Sequence, residues 1–200
     1  MKNIKKVVVF ALMLLAVGVG YAQATSLNDS NDIKQLMQKR DAEIKALMGP
    51  KGTKHTTEQT EKLKSIINDM VDFEAMAKTA LQDTWKEATP AQQREFVDLF
   101  SKIIRDQSLA KPDIYRASVT YEDVAVNGGT AMVKTLAVFD NVRTPVSYAM
   151  VKKSNKWFIT DIIIDNVSTA ASYQKSFQNT IRKRGFDALL DALRKRADKA

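Results

Sequence analysis

Apolar positions along the chain fall into four regimes. Val7 to Val19 form one continuous apolar run. From Ile33 to about Ala110 they recur at helical spacing, and after Lys111-Pro112 they take up the period of two that marks strands. Beyond Ser168 the helical spacing returns. The pattern predicts helices, then an antiparallel sheet, then helices, which is an α+β fold.

Within the first helical part, Ile33, Leu36, Met37, Ile44, Leu47 and Met48 give a stripe that falters around Arg40-Asp41 and breaks at Gly49-Pro50-Lys51-Gly52. Thr56-Thr57-Glu58-Gln59 reads as a capping box ahead of Leu63, Ile66, Ile67 and Met70. Asp72 can cap a short helix bearing Phe73, Met76, Ala77 and Ala80. Thr89-Pro90-Ala91-Gln92 sets a cap, a first-turn proline and a capping-box glutamine in order. Phe96, Leu99, Phe100, Ile103 and Ile104 then make one apolar face.

Strands are predicted from Val119 to Val126, from Ala131 to Phe139, near Val146 to Val151, and from Trp157 to Ile164. The turns between them are Asn127-Gly128-Gly129, Asp140-Asn141 and Lys153-Ser154-Asn155-Lys156, so the four strands form a meander. Pro145 belongs at a strand start or edge. In the second and fourth strands both parities carry large apolar side chains, so both sheet faces are covered, by helices, by a ligand or by each in part. Ser168 or Thr169 caps a helix with Tyr173, Phe177 and Ile181 on one face, and after Gly185 the last stripe is Phe186, Leu189, Leu190 and Leu193.

The first apolar run reads as an export signal rather than a span. Lys2, Lys5 and Lys6 precede it, and Ala22-Gln23-Ala24 follows as a small-x-small cleavage site. The run is also shorter than the roughly 20 residues a membrane crossing needs. Residues 1–24 are therefore a signal peptide and residues 25–200 one exported domain. With no cysteine in the chain, disulfides, thiol catalysis and cysteine-based zinc sites are excluded, and the domain depends on its core. Formal net charge is +8. From Lys175 onward, Lys175, Arg182, Lys183, Arg184, Arg194, Lys195, Arg196 and Lys199 face only Asp187, Asp191 and Asp198. On an exported protein such a basic end suits an anionic membrane or acidic partner better than nucleic acid, or else it complements helix dipoles.

Candidate chemistry is sparse. His55 is the single histidine, and the chain has no G-x-S-x-G elbow, phosphate loop or G-x-G-x-x-G fingerprint. Asp161 and Asp165, four apart on a predicted strand, would share a face and could do acid–base work, or could cap a turn or pair with a base.

Two stretches carry a resemblance. Asp72-Phe73-Glu74-Ala75-Met76-Ala77-Lys78-Thr79-Ala80-Leu81 with Trp85, continued by Ala88 to Phe100, is similar to the first signature of the MlaC (toluene-tolerance) family of phospholipid-binding proteins. Trp157 to Ser168, then Tyr173 and Phe177, resembles the family's final strand and its turn into the last helices. Order and spacing agree from about Ile33 to Leu193. Gln82 and Asn166 stand where the family usually has glycine, and Thr169 is more polar than the usual residue there.

The resemblance implies a curved four-stranded antiparallel sheet of the NTF2-like kind, wrapped by helices around an apolar cavity for acyl chains. It implies a periplasmic carrier, not an enzyme, that shuttles phospholipid between an outer-membrane lipoprotein–porin complex and an inner-membrane ABC transporter with a lipid-binding ring, maintaining outer-membrane lipid asymmetry. Phospholipid is then cargo and no cofactor is needed; nothing demands more than a monomer. Candidate wall residues are Met70, Phe73, Met76, Phe96, Phe100, Val133, Phe139, Tyr148, Met150, Trp157, Ile159, Ile163, Tyr173 and Phe177. Arg182, Lys183, Arg184, Arg194, Lys195 and Arg196 are candidates for partner docking. Two rival readings are an exported interaction module with a basic docking tail and a small enzyme using Asp161 and Asp165.

Overall fold

The helix starts predicted at Thr56, Asp72, Thr89 and Ser168 hold their side-chain caps. The structure, a computed structural model, describes residues 27–110 and 112–198, so the signal read in residues 1–24 lies outside it. Helix α1 runs through 27–48 without a break at Arg40-Asp41, where Arg40 pairs with Glu43 and Asp41 with Lys45, both at helical spacing. Helix α2 (Thr57–Met70) opens on the Thr56/Gln59 capping box and α5 (Pro90–Leu109) on the Thr89/Gln92 box. Asp72 accepts from the Ala75 amide to start α3 (Phe73–Leu81), and α4 (Asp83–Glu87) follows directly. Ser168, rather than Thr169, caps α6 (Thr169–Arg184), and Gly185, at φ 85°, breaks it from α7 (Phe186–Ala197).

A 3₁₀ turn at Pro112–Arg116 leads into the sheet, built from β1 (Ser118–Asn127), β2 (Thr130–Phe139), β3 (Val142–Lys153), β4 (Lys156–Ile164) and β5 (Val167–Ser168). Neighbours pair antiparallel in chain order. The sheet thus has five strands, not the expected four. The fifth is a two-residue strand formed because Asp165-Asn166, at φ 49° and 63°, turns the chain back beside β4. Asp140-Asn141 and Ser154-Asn155 have positive φ at both positions as well, the hairpin geometry that matches strand twist. Asparagine tolerates this conformation, so the missing glycine at Asn166 costs little.

Pro145 lies inside β3, which starts earlier than the apolar pattern predicts. Its carbonyl accepts from the Asp165 amide at 3.0 Å, beyond the end of β4. Because N and C=O of one residue point to the same side of an antiparallel strand, the missing N–H faces the end of the β4 ladder and breaks no bond to β2.

Two bulges decide which side chains face inward. Tyr121 pairs with Thr135 but Asp123 with Lys134, so Glu122 is an extra residue and the inward parity changes from Val119 and Tyr121 to Val124 and Val126. In β4, Met150 pairs with Ile159 and Ala149 with Asp161, so Thr160 is extra. Trp157 and Ile159 then share a face with Ile162 and Ile164, which pair with Tyr148 and Val146. Helix α1 follows this face: Ser30 Oγ donates to the Val124 carbonyl, Asp29 pairs with Lys152 at 2.5 Å, and Arg116 donates to the carbonyls of Met48, Gly49 and Pro50. Helices α3, α5, α6 and α7 form a second layer, with α3 and α6 against β4.

Candidate functional site

The inner face of the sheet is apolar and unevenly covered. Towards the β1–β2 and β3–β4 hairpins it is sealed: Val133 is 0% exposed, Thr135 2%, and Ala131, Met150, Trp157 and Ile159 are buried. Along the same rows towards the β2–β3 turn, Ala137 and Phe139 are half-buried, Val142 is 63% exposed and Ile164 46%. Ile114, in the 3₁₀ turn, is exposed too. The apolar face therefore opens at one end of the sheet.

The polar groups on that face are chiefly phenols and a hydroxyl, with the Asp41 carboxylate near them. Burial pushes the Tyr148 phenol up to about 12, with the Asp41 carboxylate adding to the effect, and raises Tyr121 for the same two reasons. Tyr115 is raised by burial while its hydroxyl shares a hydrogen bond with Ser108. The Thr135 hydroxyl is spent within the sheet, donating to the Val146 carbonyl at 2.8 Å. Three uncharged phenols, this satisfied hydroxyl and aliphatic side chains make a surface suited to hydrocarbon.

The candidate wall residues divide between two places. Phe96, Phe100, Tyr173 and Phe177 pack on one another inside the layer of α5 and α6. Their ring centroids lie 5.0 Å apart for Phe100 and Tyr173 and 5.5 Å apart for Phe96 and Phe100. Phe177 meets Phe96 and Phe100 edge-on. Val133, Tyr148, Met150, Trp157 and Ile159 share the inner face of the sheet by register. Phe73 and Met76 are buried on α3 and Met70 is half-buried at the end of α2. Phe139 sits at the open end under the Lys51 ammonium. Ile163 is a correction to its expected place beside Ile159: the bulge at Thr160 turns it to the opposite face, paired with Ser147 and Ser168, and Ile162 takes the inward position.

Tyr115, Tyr121, Ala137 and Ile162 join the inner face without having been singled out by sequence. The change from apolar odd to apolar even positions across Glu122-Asp123 is the signal that could have found Tyr121. Among the described residues an enclosed apolar cavity, expected from the resemblance, is not shown. Two open grooves of about 480 and 420 Å³ lie on the surface of the described residues, one among α2, α5 and α7 and one along α6.

Asp161 and Asp165 do not form a pair on one strand face, as expected from their spacing. Asp161 accepts from the amides of Ile162 and Ala170 and from the Ser168 hydroxyl, which ties β4 to the start of α6. Asp165 lies in the turn after β4. Among the docking candidates, Arg194 is engaged, donating to Glu95 at 2.6 Å and Asp191 at 2.5 Å, which raises its pKa. Arg182, Lys183, Arg184, Lys195 and Arg196 are exposed and in no ion pair among the described residues. Among those residues no helix is long and apolar enough to cross a membrane.

The MlaC protein family matches residues 30–195. The chain belongs to the MlaC family. A solved structure supports the membership at the level of fold: a phospholipid-binding protein from Ralstonia solanacearum, in complex with a phospholipid, superposes with a TM-score of 0.70. It is 22% identical, over 84% of this chain and 95% of its own length. No curated protein sequence matches the chain. MlaC membership agrees with the order of signatures from Asp72 to Phe177, and the aromatic cluster of α5 and α6 is built from those signatures.

Proposed function

We propose that this chain is a periplasmic phospholipid carrier that holds acyl chains against the inner face of the sheet. The observation that carries the reading is the graded cover of that face, from sealed at Val133 to open at Val142 and Ile164. Family membership and a structural neighbour in complex with a phospholipid support it. Burying hydrocarbon contributes about 0.8 kcal/mol per methylene, and a bilayer offers a similar gain, so exchange with a membrane can run either way on a small bias. Acyl chains enter at the β2–β3 end and spread the contact of α1 with the sheet, which is held by the polar contacts of Asp29, Ser30 and Arg116 at its ends. Methionines on both sides, Met37 and Met150, adapt to different chains.

The carrier travels between an outer-membrane lipoprotein–porin complex and an inner-membrane ABC transporter with a lipid-binding ring. The exposed cations of α6 and α7 are its docking groups, with Arg194 set aside as an internal clasp between α7 and α5. Helix α6 carries Lys175, Arg182, Lys183 and Arg184 and no acid, which favours an acidic contact surface.

Parity supplies the test. Ala137 and Leu136 are adjacent, half-buried and on opposite faces of β2. With fluorescent phospholipid in vesicles, Ala137→Trp should cut uptake roughly tenfold by filling the cleft, whereas Leu136→Trp keeps it. Equal uptake by both variants at matched melting temperature contradicts the inner-face site.

A further inference from the structure

Among the described residues five large apolar side chains stand exposed, and four of them gather at one end of the sheet. Ile114 is 53% exposed, Val142 63%, Ile164 46% and Val167 59%. The fifth, Leu27, is two residues from Asp29, which pairs with Lys152 at the opposite end of β3. Ile114 precedes the start of β1, Val142 opens β3 after the β2–β3 turn, and Ile164 and Val167 pair across the β4–β5 turn. In a sheet whose neighbours run antiparallel in chain order, these three places share one end. By register Val142 pairs with Phe139, and Ile164 pairs with both Val146 and Val167. The three on strands are therefore the uncovered continuation of the inner face, not a separate patch.

Charge at this end is balanced. Lys51 pairs with Asp140 at 2.5 Å and Arg116 pairs with Asp113. Arg143, next to Val142, and Asp165, next to Ile164, are exposed and add one charge of each sign. An end with bare hydrocarbon and no net charge does not select an acidic surface, in contrast to α6 with its cations and no acid. The Lys51 ammonium lies 5.4 Å from the centroid of the Phe139 ring, so the charge can stay at a polar boundary with the ring below it.

Size decides between a protein and a lipid surface. From β1 to β5 at about 4.8 Å per strand, and from Val142 to Val146 at about 3.3 Å per residue, the planar footprint is roughly 250 Å². A stable protein interface takes about 800 Å² from each partner. A few apolar side chains set about 5–10 Å into the headgroup boundary are the ordinary scale of reversible membrane contact.

We infer that the open end seats on the surface of a lipid bilayer, with Ile114, Val142, Ile164 and Val167 at the acyl boundary and the balanced charges at headgroup level. Lipid then passes from the bilayer onto the inner face along a continuous apolar row, without its chains crossing water. The inference rests on the carrier reading and deepens it by naming the surface that the opening meets.

Two measurements on the full chain without its leader test the contact, with vesicles of phosphatidylethanolamine and phosphatidylglycerol. Ile114→Ser combined with Val167→Ser, both at exposed positions, should slow lipid uptake roughly tenfold and leave the final load per chain and the melting temperature unchanged. The rate should change less than about twofold between about 0.05 and 0.5 M salt, since screening acts on charge and not on hydrocarbon. The chain has no cysteine, so single labels are clean. A polarity-sensitive dye on Val167→Cys should shift to the blue with vesicles, and one on Lys183→Cys should not. Both are read on chains first brought to their full load, so that arriving cargo does not give the signal. Uptake at the unsubstituted rate with a silent Val167 dye would overturn the membrane contact and leave the carrier, its lipid then handed over by a protein. A blue shift confined to Lys183 and lost in salt would overturn it too, placing the basic helices on the bilayer. A chain that takes no lipid while its Val167 dye responds would sink the carrier and keep the membrane contact. Neither uptake nor response would sink both.

Discussion

Gln82 joins α3 to α4 at φ 50° and ψ −126°, a region that glycine occupies freely and other residues do not. Its side chain is exposed, so little packing offsets the strain. Gln82→Gly should stabilise the protein by roughly 1 kcal/mol, the strain relieved exceeding the added flexibility of the unfolded chain, and raise Tm by about 2–4 °C. A fall in Tm would show that the junction is not strained. Tyr148 gives a second test. Its phenol is held above its ordinary value of 10.0, at about 12, chiefly by burial. The unfolded state therefore loses the proton first: the contribution is complete below pH 10 and disappears as pH rises from 10 towards 12. Tyr148→Phe should flatten the alkaline loss of stability in that window, by roughly 2–3 kcal/mol at most. An unchanged alkaline limb in denaturant titrations would place the phenol in water.

Elements were legible where local chemistry decides them. The boxes at Thr56 and Thr89 and the caps at Asp72 and Ser168 start helices where the sequence predicts, because side chain and amide lie within a few residues of each other. Facing was less legible, because one extra residue reverses it. Glu122 and Thr160 each swap inside for outside, which moves Ile163 out of the site and Ile162 and Tyr121 into position. Nor does residue type show that Phe96, Phe100, Tyr173 and Phe177 pack chiefly on one another. Asp161 and Asp165 illustrate the same limit: their spacing left acid–base work and a structural role both open, and the structure makes them a cap and a turn. Replacing Asp161 leaves the Ala170 amide and the Ser168 hydroxyl without their acceptor. Asp161→Ala should therefore cost about 2–3 kcal/mol. Asp165→Asn, at an exposed turn position that asparagine suits, should change stability by no more than about 0.5 kcal/mol. Equal losses in thermal unfolding would contradict the capping role.

At the scale of the whole molecule, a sealed helical layer stands beside a sheet whose apolar face opens at one end. The aromatic cluster of α5 and α6 is packed on itself, and the proposed loading would spread the contact of α1 with the sheet. Exposed cations on α6 and α7 are separate from the opening residues of β2 to β4, so in the proposed reading docking and loading would use different surfaces. Native mass spectrometry of the purified chain, followed by organic extraction, tests the central claim most directly. The account predicts one added mass per chain that extracts as phospholipid, and its loss in Ala137→Trp. A bare chain that also takes no lipid from vesicles would contradict it.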